Sequence, residues 1–143
     1  MLDLILNGFD MKGQDARVYS PLTLAYIGDG VYELVIRTLI VEQANRSANE
    51  LHRRATQYVK AESQAKMIVA LKDELTEEEA DIFKRGRNAK PYTTAKNATR
   101  ADYHKATGFE ALMGYLYLTG QEERMFQLIR HGIAFLEDEG THG

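Results

Sequence analysis

An all-helical fold follows from three features of the chain. Only two prolines occur in 143 residues, apolar residues recur at a 3.6-residue period along most of the length, and capping signatures separate those periodic stretches. Ser20-Pro21 reads as an N-cap followed by proline at the first helical position, opening a helix to about Ala44 or Asn45. Ser47 through Glu50 is a capping-box pattern for a second helix reaching about Tyr58, and a third covers roughly Ala61 to Leu71, with Ala65, Ile68, Val69 and Leu71 toward the core. Thr76 through Glu79 is another capping box, its acids suited to a helix N-terminus, and that helix is expected to end near Gly86. Residues 87–98 hold Pro91, two threonines and two asparagines without apolar periodicity and are expected to form a loop. Thr99 through Asp102 caps the next helix, which stops at Gly120. The last runs from about Gln121 to Glu137 on Met125, Leu128, Ile129, Ile133 and Leu136. The expectation is one domain over residues 1–143, with 138–143 as a frayed tail.

Composition excludes several classes. At 44% hydrophobic and 27% charged residues the chain has ordinary globular balance. It holds no apolar run near the ~20 residues that span a bilayer, and the start MLDLILNGFDMKG lacks a basic leader. No cysteine is present, which removes disulfides, thiolate zinc sites and cysteine nucleophiles and suits a reducing compartment; a cytoplasmic location is expected. The four histidines show no ligand spacing, and neither a phosphate-cradling glycine loop nor a nucleophile elbow occurs.

Two apolar helices each carry an embedded carboxylate. In Leu24-Ala-Tyr-Ile-Gly-Asp-Gly-Val-Tyr-Glu33, the residues Tyr26, Ile27, Val31, Leu34 and Val35 read as a core-facing stripe, with Asp29 and Glu33 one turn apart on one face. In Thr107-Gly-Phe-Glu-Ala-Leu-Met-Gly-Tyr-Leu-Tyr-Leu118, Glu110 interrupts a second stripe. Stacked carboxylates repel and are costly to bury unpaired; a divalent cation removes both penalties, and magnesium is commonly held by one or two protein carboxylates plus water and substrate phosphate. Glycines flank both acids (Gly28, Gly30, Gly108, Gly114), and each costs about 1 kcal/mol inside a helix, which close approach of a backbone or ligand would compensate. The alternative is that each acid merely edges its stripe and faces water.

Charge is unevenly placed on a chain of net charge −3. The stretch Asp73 to Asp81 holds six acids and no Lys or Arg, whereas Lys84 to Arg100 holds six Lys/Arg and no acid. Lys84, Arg85, Arg87, Asn88, Lys90 and Lys96, with Tyr92, are candidates to contact phosphate or 2′-hydroxyl groups of RNA; a solvated loop is the plainer reading. His52, Arg53, Arg54, Lys60 and Lys66 form a second basic strip that also reads as a polar outer face. Tyr26, Tyr32, Tyr115 and Tyr117 suit a core or a subunit interface.

These residues together resemble the ribonuclease III catalytic domain, and more closely its bacterial Mini-ribonuclease III group: Leu-Ala-Tyr-Ile-Gly-Asp29, then Lys84-Arg-Gly-Arg-Asn-Ala-Lys90, then Phe109-Glu110-Ala-Leu-Met-Gly-Tyr-Leu-Tyr-Leu, in order across nearly the whole chain. The resemblance implies an all-helical, homodimeric endonuclease that cuts double-stranded RNA with Mg2+, leaves 5′-phosphate ends and matures precursor 23S ribosomal RNA, with a ribosomal protein on the substrate as a further candidate partner. It implies Asp29 and Glu110 as catalytic metal ligands; Glu33, one turn past Asp29, is a candidate third from its spacing alone. Two positions depart from the wider pattern, where Ala25 and Thr107 stand in place of acids. No double-stranded-RNA-binding domain of the kind that usually follows is expected, and the basic segment is expected to grip RNA itself. The rival readings are a non-catalytic duplex-RNA-binding helical dimer and a helical protein–protein adaptor.

Overall fold

The structure, a computed structural model, describes residues 1–90 and 99–142. Its described residues form helices α1 (Leu2–Gly8), α2 (Pro21–Gln43), α3 (Ala48–Val59), α4 (Ala61–Leu71), α5 (Glu77–Asn88), α6 (Arg100–Leu118) and α7 (Glu122–His142), with short 3-10 turns at Ala16–Val18 and Lys72–Glu74. Local chemistry sets the helix starts. Ser20, Ser47 and Thr99 each accept the amide three residues on (Thr23, Glu50, Asp102), which satisfies a donor that the first turn leaves orphaned. At Thr76 the capping box is complete, with the Glu79 carboxylate returning to the Thr76 amide. Gly120, at φ 73, lets the chain turn from α6 into α7.

Helix α6 is the axis of the core. Residues 106–109 and 111–117 are all buried, and α2, α5 and α4 pack around them while α7 covers α4. Glycine sets how near the neighbours come. A Cβ at Gly28 would lie 1.7 Å from the Glu110 carbonyl oxygen, and one at Gly114 would lie 2.0 Å from that of Leu24, so α2 and α6 cross backbone to backbone. A second crossing joins α5 to α6, where a Cβ at Gly86 would meet Ala111 and the Gly108 backbone. Gly30, by contrast, has open space on its outer side.

Several expectations need correcting. Tyr26 is 82% exposed and Leu34 50%, because the buried face of α2 is Leu24, Ala25, Gly28, Val31, Tyr32, Ile36 and Ile40. The glycine crossing rotates that face one position away from the bulkiest residues. Val69 on α4 is also outward, since Gln64, Met67, Ile68 and Leu71 take the inner face. Helix α5 continues through Asn88, so Arg87 and Asn88 are helical: Gly86 is kept in the helix by its packing against α6, and its low propensity does not end it. Helix α7 extends past Glu137 to His142, with Lys66 of α4 reaching Glu139 at 3.6 Å. Helix α1, which periodicity did not indicate, buries no residue. No helix among the described residues is long and apolar enough to cross a membrane.

Candidate active site

The crossing at Gly28 and Gly114 brings Asp29 and Glu110 together. Asp29 follows Gly28 on the outer side of α2 and is exposed, while Glu110 interrupts the buried run of α6 and is half-buried. Burial pushes the Glu110 carboxyl up to about 9, and Asp29 adds to the shift in two ways: it accepts a hydrogen bond from the protonated form, and its negative charge disfavours the ionised form. Glu33 contributes weaker repulsion from one turn further along α2. Its carboxylate is held by the Arg37 Nη2 at 2.8 Å, an exposed i,i+4 pair, so Glu33 is near the site but engaged elsewhere.

A third element reaches the pair. Gln64 of α4 is 2% exposed; its Nε2 donates to the Val59 carbonyl at 2.8 Å, and its amide lies close enough to Glu110 to favour the ionised carboxylate, against burial and the two neighbouring acids. The Gln64 Oε1 is buried without a partner, an arrangement that costs about 1–3 kcal/mol unless a donor arrives. The neighbouring Ser63 hydroxyl donates to the Gln57 carbonyl at 2.6 Å. The sequence reading passed over Gln64, although an amide standing in register with Ile68 and Leu71 on an otherwise apolar face was the available signal. Ala25 and Thr107 are buried and bring no charge, and the Thr107 hydroxyl donates to the Tyr103 carbonyl one turn back.

The donor set suits a hard divalent cation. The Asp29 charge disfavours ionisation of Glu110, and the two carboxylates become compatible beside Mg2+, which accepts one or two protein carboxylates and fills its remaining positions with water and phosphate oxygens. Among the described residues no group of three or more His, Asp or Glu is arranged to hold a metal; the pair Asp29 and Glu110 would be the protein's share for a cation placed here.

The basic candidates divide. Lys84, Arg85, Asn88 and Lys90 are exposed at the end of α5. Arg87 is half-buried, lies 5.6 Å over the Phe83 ring and donates to the Asn88 Oδ1, so part of it serves packing. Lys96 and Tyr92 lie outside the described residues. The contact of Gly86 with Gly108 anchors this basic end to α6 within a turn of Glu110. In the second strip, Arg53 and Arg54 both pair with Glu50, and Lys66 pairs with Glu62 and Glu139, which leaves that face largely neutralised. Tyr32, Tyr115 and Tyr117 are buried, and the Tyr32 hydroxyl donates to the Tyr58 carbonyl at 2.7 Å.

Comparison with known proteins agrees with this architecture. Residues 22–121 match the ribonuclease III domain. The chain is 45% identical over 136 residues to the Mini-ribonuclease 3 of Clostridium tetani, covering 94% of this chain and 90% of that one. It is 50% identical over 119 residues to that of a Thermoanaerobacter species, covering 83% and 84%. A crystal structure of protein FN1578 from Fusobacterium nucleatum superposes with a TM-score of 0.77 at 33% identity, over 85% of this chain and 98% of that one.

Proposed function

From the premise that the chain belongs to the ribonuclease III family and is an endoribonuclease, we propose that it cleaves double-stranded RNA with Mg2+ and matures the ends of precursor 23S ribosomal RNA. The observation that carries the chemistry is the meeting of Asp29 and Glu110 across the glycine crossing of α2 and α6. Asp29, on the exposed side, and Glu110, on the buried side, would hold the cation. A bound Mg2+ acidifies water and neutralises charge on the phosphate and the departing 3′-oxygen, a hydrolysis that leaves 5′-phosphate ends. Glu33 joins the site only by giving up Arg37. Lys84, Arg85, Asn88 and Lys90 grip the RNA backbone without reading sequence, with Lys96 in the same basic segment.

The working unit is a homodimer of one ribonuclease III-like domain spanning 1–143, acting in the cytoplasm. Support comes from Tyr26, 82% exposed three residues before Asp29, and from an apolar hollow of about 450 Å³ edged by Leu34, Val35, Leu39, Phe126 and Ile129. A dimer places two sites on one duplex, one for each strand.

The experiment is cleavage of a labelled duplex carrying a precursor 23S stem, in Mg2+ or EDTA, by wild type and Asp29→Asn. Magnesium-dependent cuts at the stem, reduced about 10³-fold in the variant, are expected; such a loss corresponds to about 4 kcal/mol of transition-state stabilisation. Duplex left intact in every lane, with salt-sensitive binding retained, would replace the enzyme by a duplex-binding dimer. Cuts in an unrelated duplex but none in the 23S stem would remove the ribosomal substrate alone.

A further inference from the structure

Two side chains beside Glu110 act on its carboxyl, Asp29 and Gln64, and only Gln64 is fixed by the core. The amide has one orientation. Its Nε2 is committed to the Val59 carbonyl at the C-terminal end of α3, and turning the amide over would press Oε1 against that carbonyl oxygen. With that bond made, the second Nε2 hydrogen is the one available to Glu110, and Oε1 is left as a buried acceptor. A long polar side chain at 2% exposure, spanning a helix end and an acid with one oxygen unused, is an expensive device if packing were its only task.

We propose that Gln64 is the positioning residue of this site: anchored on the Val59 carbonyl and buried beside Glu110, it would aim the Glu110 carboxylate toward a cation shared with Asp29. Outer-shell partners of this kind fix the orientation of a ligating carboxylate, and their loss typically weakens metal binding or activity 10–100-fold. Holding the acid from α4 also links three helices at one point, since α2 supplies Asp29, α6 supplies Glu110 and α4 supplies the amide. The inference rests on the assignment of Asp29 and Glu110 as the cation pair in the proposed nuclease.

The test uses the full chain and two probes, Mn2+ alone, followed by its paramagnetic resonance, and a plain RNA duplex. Gln64→Met keeps the length of the side chain and deletes the amide; Gln64→Asn keeps an amide that is one methylene too short to span both acceptors. Both are expected to weaken Mn2+ binding about 10-fold and to lower kcat by 10–100-fold, with KM for the duplex within twofold of wild type. Ser63→Ala is the structural control, because it removes a buried hydrogen bond from the same α3–α4 turn, on the Gln57 carbonyl, and does not touch Glu110. It is expected to lower Tm and leave Mn2+ affinity and kcat unchanged. Wild-type Mn2+ affinity in both Gln64 variants, or the same loss of affinity in Ser63→Ala, would overturn the inference. A wild type that binds Mn2+ through Asp29 and cuts no duplex would sink the nuclease reading while the Mn2+ measurements still decide the role of Gln64.

Discussion

Glu79 and Glu110 are two glutamates withdrawn from water on helices that pack against each other, and their surroundings are opposite. Glu79 at the start of α5 is 4% exposed and fully answered: its Oε1 accepts the Thr76 amide, and Arg124 of α7 clasps both oxygens at 2.9 Å while also donating to the Glu74 carbonyl. The Arg124 guanidinium is the first cause of the lowered Glu79 value, and Glu79 raises Arg124 in return. Among the described residues no cation acts on Glu110; it faces a second carboxylate, with the nearby Gln64 amide in partial compensation. A satisfied acid stabilises a helix start and ties α5 to α7. An acid left in need of positive charge marks a place where the fold gives up stability for a task.

The largest separation of the two comes from removing each charge. Glu110→Gln is expected to lower kcat on duplex RNA by about 10³-fold with no loss of stability in EDTA, because the repulsion with Asp29 disappears. Cleavage kinetics and thermal unfolding on one preparation check both halves. Arg124→Ala is expected to do the reverse. It strands the Glu79 carboxylate and costs about 3 kcal/mol, the low end for a buried pair because Arg124 remains partly in water. For a chain of this size that lowers Tm by roughly 10 °C, with kcat unchanged at temperatures where the variant is folded.

pH sharpens the contrast further. Glu79 is lowered on folding, so its contribution is present above the ordinary glutamate value of 4.5 and is lost as pH falls through its folded value. Glu110 is raised, so its contribution is fully present below 4.5 and is lost as pH rises toward about 9. In EDTA, Tm measured against pH should therefore fall from pH 5 to 8 in wild type and flatten over that range in Glu110→Gln. Glu79→Gln should flatten only the acid limb. Saturating Mg2+ should remove the neutral-range slope, since the cation holds Glu110 ionised.

The smallest effect is expected at Glu33. Arg37→Ala frees a carboxylate now engaged in an exposed i,i+4 pair worth about 0.4 kcal/mol, so the Mg2+ concentration for half-maximal cleavage should fall by about twofold. A titration unchanged from wild type would leave Glu33 out of the site.

Most of the helix plan was legible locally. Ser20, Ser47, Thr76 and Thr99 are caps whose side chains bond amides three residues away, so their meaning is contained in a few neighbouring positions. The pairing of Asp29 with Glu110 was legible as a suspicion, from acids set in apolar helices beside glycines. Which glycines mattered was not: Gly28 and Gly114 receive a neighbouring backbone, while Gly30 faces open space. The outward turn of Tyr26, Leu34 and Val69 was misjudged for the same reason, as periodicity gives the width of an apolar stripe and leaves its rotation to the partner helix.

By itself the sequence determined the helical class, the helix starts, the two embedded acids and the uneven distribution of charge, because capping, periodicity and charge act over one or two turns. Tertiary structure decided the rest. It chose the buried face of α2, extended α5 past Gly86, paired Glu79 with an arginine 45 residues away and brought Gln64 to Glu110. Each of these depends on how closely two backbones can approach, which is set by residues far apart in the chain and fixed only when the helices pack.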